Sequence, residues 1–146
     1  MKASNDPGQI VPDSQANLQP QPPHQPLTIG IVRFALELAA IVGLGWWGWA
    51  LGDGGFAGTI FAILIPGIAF TIWGVFAVRN DPSRNPNPPV AVPGWLRLII
   101  ELSVFGLAAY GIWTSGSRAA SETLLTGVGI VYAVTWDRQW WLLKQR

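Results

Sequence analysis

Apolar residues along this chain gather into four long runs separated by short polar or turn-rich segments. The runs cover residues 31–51, 56–78, 95–114 and about 121–143. A helix of about 20 residues is roughly 30 Å long, which is the thickness of the hydrocarbon core of a bilayer. The pattern therefore predicts four transmembrane helices. The alternative is a soluble bundle, whose helices are usually shorter and show a clear polar face. Residues 56–78 contain no charged residue at all, and this favours the membrane.

The segments between the runs indicate how the helices are connected. Turn-forming residues fill the first link, residues 52–55, and the last link, residues 115–120. The middle link, residues 79–94, is longer and contains five prolines, so it reads as a stiff connector between two helical hairpins. The predicted fold is therefore all-α, an integral membrane four-helix bundle made of two hairpins.

The first 26 residues differ in character from the rest of the chain. They are polar, contain six prolines, and are otherwise rich in Gln, Asn and Ser. Such a segment cannot bury enough apolar surface to offset the entropy of ordering. We predict a disordered cytoplasmic tail over residues 1–26 and a transmembrane domain over residues 27–146.

The positions of lysine and arginine predict the orientation of the helices. With the N-terminus in the cytoplasm, only Arg118 lies on the outer side. The other eight of the nine basic residues then lie on the inner side, where positive charge accumulates. These eight are Lys2, Arg33, Arg79, Arg84, Arg97, Arg138, Lys144 and Arg146. We therefore predict that both termini are cytoplasmic.

The chain also carries a weak internal repeat. A shift of 64 residues places Arg33 on Arg97 and Glu37 on Glu101. Charged residues are scarce within the apolar runs, so their coincidence is more informative than matches between apolar residues. Each copy would hold two spans and insert the same way up, which predicts a parallel repeat of one hairpin.

The repeated charges form the most distinctive feature of the sequence. In both copies the arginine and the glutamate are four residues apart, which places them on one face of a helix. A charge at the centre of the bilayer costs roughly 2.5–3.5 kcal/mol on insertion scales. These positions are nearer the inner end, where arginine reaches water more easily than glutamate does. Each glutamate is therefore expected to be paired or neutral.

The fourth run brings two further charges to the same inner level. We predict that six charges meet there and sum to zero: Arg33, Glu37, Arg97, Glu101, Asp137 and Arg138. Two interpretations follow. The first is a neutral ion-pair network that fastens the hairpins together, which the balanced charge favours. The second is a site for a proton, an ion or a small polar solute.

Composition narrows the classes of function. Charged residues make up 12% of the chain, and the net charge of +1 provides no field that would attract nucleic acid. There is no cysteine, and the single histidine, His24, lies in the proline-rich tail. A histidine-based or cysteine-based metal site or catalytic triad has too few members. We therefore expect no enzyme activity, no cofactor and no metal.

Three segments of the sequence carry a family resemblance: residues 33–40 (RFALELAA), residues 73–76 (WGVF) and residues 97–105 (RLIIELSVF). Together they resemble the YrdB-like family of small four-span bacterial membrane proteins of unknown function. The resemblance covers about residues 28–143, and the loop after Phe76 is longer and richer in proline than in the family. It implies a location in the bacterial inner membrane and places the family's recurring charges on the two Arg–Glu pairs. It implies no activity.

These observations favour a non-enzymatic structural or interaction protein of the bacterial inner membrane. Its expected partners are the lipid bilayer and either a second copy of the chain or another membrane protein. The alternative is a small proton- or solute-coupled transporter that uses the charged cluster. In such a transporter the coupling acid usually lacks a permanent cation one turn away, whereas both glutamates here have one.

Overall fold

A computed structural model describes residues 26–79 and 88–144, and apart from two very short strands all of its regular structure is helical. The helices are α1 (Leu27–Leu51), α2 (Gly55–Val75), α3 (Gly94–Thr114), α4 (Arg118–Val134) and α5 (Trp136–Lys144). Two short strands between α2 and α3, β1 (Phe76–Ala77) and β2 (Val90–Ala91), pair in parallel. The predicted disordered tail, apart from Pro26, lies outside the described residues.

Three of the helices, α1, α2 and α3, are long and apolar enough to cross a membrane. Many of their large apolar side chains face outward. Phe56 on α2, for example, is 83% exposed. Within α2 only Gly58 and Trp73 are buried. An apolar surface of this extent is unfavourable in water and is what a lipid-facing helix requires.

The fourth apolar run is divided into two helices instead of forming one. The break falls at Thr135, where both the backbone N–H and the side-chain hydroxyl donate to the carbonyl of Val131, at 2.9 and 2.7 Å. A threonine hydroxyl that bonds back to its own helix in this way tends to bend it. The N–H groups of Arg138 and Gln139 then bond to the Thr135 carbonyl and begin α5.

Helices α1 and α2 form an antiparallel hairpin that depends on glycine. A side chain on Gly48 would overlap the backbone of Phe61, and one on Gly52 would overlap the backbone of Gly58. The turn between the helices contains three successive residues with positive φ, at 52° for Asp53, 72° for Gly54 and 60° for Gly55. Glycine adopts this conformation without strain, and aspartate is among the residues that tolerate it.

Helices α1 and α3 lie side by side and run in the same direction. Gly111 on α3 faces Trp47 on α1, and Gly43 on α1 faces Ile112 on α3. The hydrophobic core lies between these two helices, with contributions from α2 and α4. It consists of Ala40, Leu44, Trp73, Val104, Phe105, Ala108, Ala109, Leu124 and Val128.

Helices α4 and α5 together follow α3 in the opposite direction. Near one end of α3 the Ser121 hydroxyl donates to the carbonyl of Ala109 at 2.8 Å. At the other end the carbonyl of Leu142 occupies the space that a side chain on Gly94 would need. The break at Thr135 therefore does not turn the chain away from α3.

The contact between Gly94 and Leu142 generates a prediction about stability. Replacing Gly94 with alanine forces the first turn of α3 away from the α5 backbone. The free energy of unfolding in detergent should fall by about 1–3 kcal/mol, which is typical of overpacking. The matched control is Gly129→Ala, because a methyl group at Gly129 meets no other atom within 4 Å. Equal stability of the two variants would contradict the packing of α5 described above.

Candidate functional site: a buried ion-pair cluster

The carboxylate of Glu101, on the second turn of α3, lies at the centre of a buried charged cluster. The side chain is 0% exposed. Its Oε1 accepts hydrogen bonds from Nη2 of Arg33 on α1 and from Nη2 of Arg97 on its own helix, the latter at 3.5 Å. Its Oε2 accepts a bond from the Tyr132 hydroxyl on α4 at 2.9 Å, and Nη1 of Arg138 on α5 lies 3.7 Å away. One carboxylate thus joins four helices.

Arg97 extends the cluster to the fifth helix, α2. Its Nη1 donates to the carbonyl oxygens of Trp73 and Phe76, at 2.6 and 2.7 Å. The last carbonyls of a helix have no partner within it and carry a partial negative charge. The guanidinium also lies 5.9 Å from the centre of the Trp73 ring. The charge of Arg97 is therefore balanced partly by the end of α2 and only partly by Glu101.

The two glutamates of the predicted repeat have different surroundings. Nε of Arg33 lies 3.4 Å from Oε1 of Glu37, one turn along α1. The side chain of Glu37 is 16% exposed, whereas that of Glu101 is 0% exposed. Arg33 is thus shared between the two acids, and the more enclosed acid receives arginines from both copies of the repeat.

The structure brings five of the six predicted residues together and leaves Asp137 out. Asp137 is exposed, and no ion pair within the described residues joins it to the cluster. Adjacent residues of an α-helix point about 100° apart because each turn holds 3.6 residues. Arg138 and Gln139 are both buried, and Asp137, which points to nearly the opposite side of α5 from Gln139, is left facing outward. The expectation of a neutral cluster is corrected accordingly, since three guanidinium groups and two carboxylates give a formal charge of +1.

Two residues near the cluster were not predicted from the sequence. The first is Tyr132, one of only two tyrosines in the chain, whose hydroxyl donates to Glu101. The second is Gln139, which is buried beside Arg138 and has Nε2 3.4 Å from Oγ1 of Thr135. Tyr132 is a polar residue within the fourth apolar run and precedes Arg138 by six residues. This position could have indicated that it lies near the cluster. The sequence does not show which way its hydroxyl points.

The chemistry available to the cluster is charge compensation. Each carboxylate oxygen of Glu101 faces donors, and the guanidinium groups remain charged at any physiological pH. Nη1 of Arg33 is one of several buried side-chain atoms among the described residues that have no hydrogen-bond partner. Among residues 26–79 and 88–144, no group of three His, Cys, Asp or Glu residues is placed to hold a metal ion.

The fold and this cluster define a class: a small all-helical protein with several helices suited to crossing a membrane and a charged centre between them. Residues 31–133 match the family described as a protein of unknown function, DUF2568. The chain is also 35% identical over 115 residues to the uncharacterized protein YrdB of Bacillus subtilis (strain 168), which covers 79% of this chain and 93% of that protein. The chain belongs to this family, and the resemblance to YrdB-like proteins is confirmed. No solved structure matches.

The matched range contains most of the cluster. Arg33, Glu37, Arg97, Glu101 and Tyr132 all lie between residues 31 and 133, whereas α5 and its Arg138 follow that range. The family match thus includes the central carboxylate and its donors from α1, α3 and α4. Arg138, which α5 contributes, lies beyond the matched residues.

Unequal burial of the two glutamates predicts unequal effects of their removal. Glu101→Gln leaves three buried guanidinium groups without their shared carboxylate. The free energy of unfolding should fall by about 3–5 kcal/mol, as when one partner of a buried ion pair is removed. Glu37→Gln, which is isosteric in the same way, should cost clearly less, because Glu37 is less buried than Glu101. Unfolding in mixed detergent micelles, followed by circular dichroism, measures both. Equal losses would contradict the central position of Glu101.

Proposed function

We propose that this chain is a non-enzymatic, multi-pass protein of the bacterial inner membrane that acts by presenting a fixed arrangement of helices to a second copy or to another membrane protein. The observation that carries this proposal is the complete enclosure of Glu101 by donors from α1, α3 and α4, with Arg138 of α5 beside it. A carboxylate surrounded in this way fixes the positions of the helices that surround it.

The same enclosure argues against a transport role for Glu101. An acid that couples proton movement to transport has to exchange protons with water during each cycle. Glu101 is fully buried, and arginines lie beside both of its oxygens. Releasing it would require α1, α3, α4 and α5 to separate. This arrangement suits an acid that holds helices together better than an acid that couples proton movement to transport.

We further propose that α4 and α5 together form a fourth crossing and complete a bundle of two hairpins. From Arg118 to Lys144 the two helices hold enough residues for roughly 40 Å of helix, which exceeds the bilayer core. Their contacts with α3 support this, since Ser121, Tyr132 and Leu142 meet Ala109, Glu101 and Gly94 in antiparallel order. The excess of basic residues on one side supports cytoplasmic termini.

The packing of α1 against α3 supports the proposed parallel repeat. Trp47 faces Gly111, a separation of 111 − 47 = 64 residues, which is the shift that aligns the two copies. Equivalent positions of two parallel hairpins would lie side by side in this way if an approximate two-fold axis ran between α1 and α3. On this proposal the unequal environments of Glu37 and Glu101 are departures from that symmetry.

The second candidate function is a small proton- or solute-coupled transporter. Two observations favour it: the cluster has a formal charge of +1 rather than zero, and Nη1 of Arg33 is a buried donor without a hydrogen-bond partner. A buried cationic group with a spare donor suits a small polar or anionic solute. In such a transporter Glu37 would be the accessible acid, because it is the less buried of the two.

The fourth crossing can be tested by cysteine labelling, because the chain contains no cysteine of its own. Ser117→Cys places a thiol just before α4, and Lys144→Cys places one at the end of α5. In intact cells a membrane-impermeant maleimide should label position 117 and not position 144. Both positions should react after the membrane is opened with detergent. Labelling of both in intact cells would refute the crossing, and labelling of position 144 alone would reverse the proposed orientation.

Measurement of proton flux in proteoliposomes distinguishes the two candidate functions. With a pH-sensitive dye inside, vesicles that contain the wild-type protein should show no more proton flux than empty vesicles under an imposed pH gradient. Glu37→Gln is the matched variant, because it is expected to retain the fold. A wild-type flux that Glu37→Gln abolishes, with helical content unchanged, would overturn the packing proposal in favour of the transporter.

A further inference from the structure

A second polar feature lies at the opposite end of the molecule from the charged cluster. An open groove of about 490 Å³ runs between the last turns of α3 and the first turns of α4. On the α3 side it is lined by Gly106, Tyr110 and Trp113, and on the α4 side by Arg118, Glu122 and Leu125. From Glu101 to Trp113 the distance along α3 is roughly 18 Å at 1.5 Å per residue.

The mouth of this groove combines both signs of charge with aromatic rings. Nε of Arg118 lies 2.8 Å from Oε1 of Glu122, and both side chains are exposed. The rings of Tyr110 and Trp113 pack edge to face beside them, with centroids 6.4 Å apart. Two other grooves, one beside Gly67 and one beside Gly43, have no charged residue in their linings within the described part of the chain. The mixture of charges therefore distinguishes this groove.

The floor of the groove is apolar and open. A side chain added at Gly106 would meet no other atom within 4 Å. Leu125 lies on the facing side of the groove and is about half exposed. A polar mouth above an apolar groove between α3 and α4 matches the division of a phospholipid into headgroup and acyl chain, if α4 crosses the membrane as proposed above.

We propose that this groove binds a zwitterionic phospholipid with an ammonium group, such as phosphatidylethanolamine. Arg118 holds the phosphate, while Glu122 and the faces of Tyr110 and Trp113 hold the ammonium. One acyl chain lies along Gly106 and Leu125. An anionic headgroup without an ammonium would take Arg118 from Glu122 and leave that carboxylate without a compensating charge. Charge complementarity therefore selects the zwitterion. Tyrosine and tryptophan are also the side chains that prefer the headgroup level.

Native mass spectrometry of the full chain tests the proposal. Purified protein is mixed in detergent with equal amounts of phosphatidylethanolamine and phosphatidylglycerol of the same acyl chains. The wild type should retain phosphatidylethanolamine with about a fivefold preference, the size expected of exposed charge contacts. The double variant Arg118→Ala/Glu122→Ala should show no preference. The control is Lys144→Ala, which removes an exposed cation at the other end of the molecule and should keep the preference.

A second variant tests the path of the acyl chain. Gly106→Leu fills the open floor of the groove without touching a charge, and leucine favours a helix over glycine, so the fold should be retained. It should reduce the retention of phosphatidylethanolamine about fivefold. The proposal is overturned if the wild type shows no preference or favours phosphatidylglycerol. It is also overturned if the double variant keeps the preference, or if Gly106→Leu retains as much phosphatidylethanolamine as the wild type. Loss of the preference in Lys144→Ala would overturn it as well.

Discussion

A carboxylate removed from water has to be surrounded by donors, and around Glu101 these donors come from separate helices. Burial of an isolated charge costs several kcal/mol even after the protein relaxes, so each donor that moves away leaves a large part of that cost uncompensated. Arg33 and Tyr132 hold α1 and α4 against α3 through this one group, and Arg138 lies beside it on α5. Apolar side chains facing lipid gain little from choosing one neighbour over another, because lipid tails are as apolar as leucine. The relative positions of the helices therefore depend on the charged centre more than on the apolar surface.

Arg97 explains how α2 is included in this arrangement. That helix buries few of its own residues, and its closest contacts with α1 are made through glycines at one end of the hairpin. At its other end the carbonyls of Trp73 and Phe76 accept two hydrogen bonds from Arg97. A lysine could not make these bonds and reach Glu101 at the same time, since it has a single nitrogen where arginine has a planar fork. Helix α2 is thus held in two ways. At one end its backbone lies close to glycines of α1, and at the other end the guanidinium of Arg97 bonds to its carbonyls.

The apolar runs of the sequence predicted α1, α2 and α3, and the spacing of the charges predicted that Arg33, Glu37, Arg97, Glu101 and Arg138 would lie near one another. Residues four apart lie on the same face of a helix, and their distance from the helix end gives their level across the membrane. Both features can be derived from a sequence. The rotation of one helix relative to another cannot be derived in this way. For this reason the exclusion of Asp137, the hydroxyl of Tyr132 and the carbonyl partners of Arg97 were not predicted. The break at Thr135 depends on a local choice of hydrogen bonds within an otherwise continuous apolar run.

The asymmetry between the two glutamates follows from the packing of α1 beside α3. Because α1 and α3 run in the same direction, Arg33 and Arg97 approach the same space between them. One carboxylate can occupy that space, and Glu101 does so, with both arginines bonded to its Oε1. Glu37 is left at the edge with partial exposure and a longer contact to Arg33. Two similar Arg–Glu pairs thus have different surroundings, because Glu101 is fully enclosed between the helices and Glu37 is only partly buried.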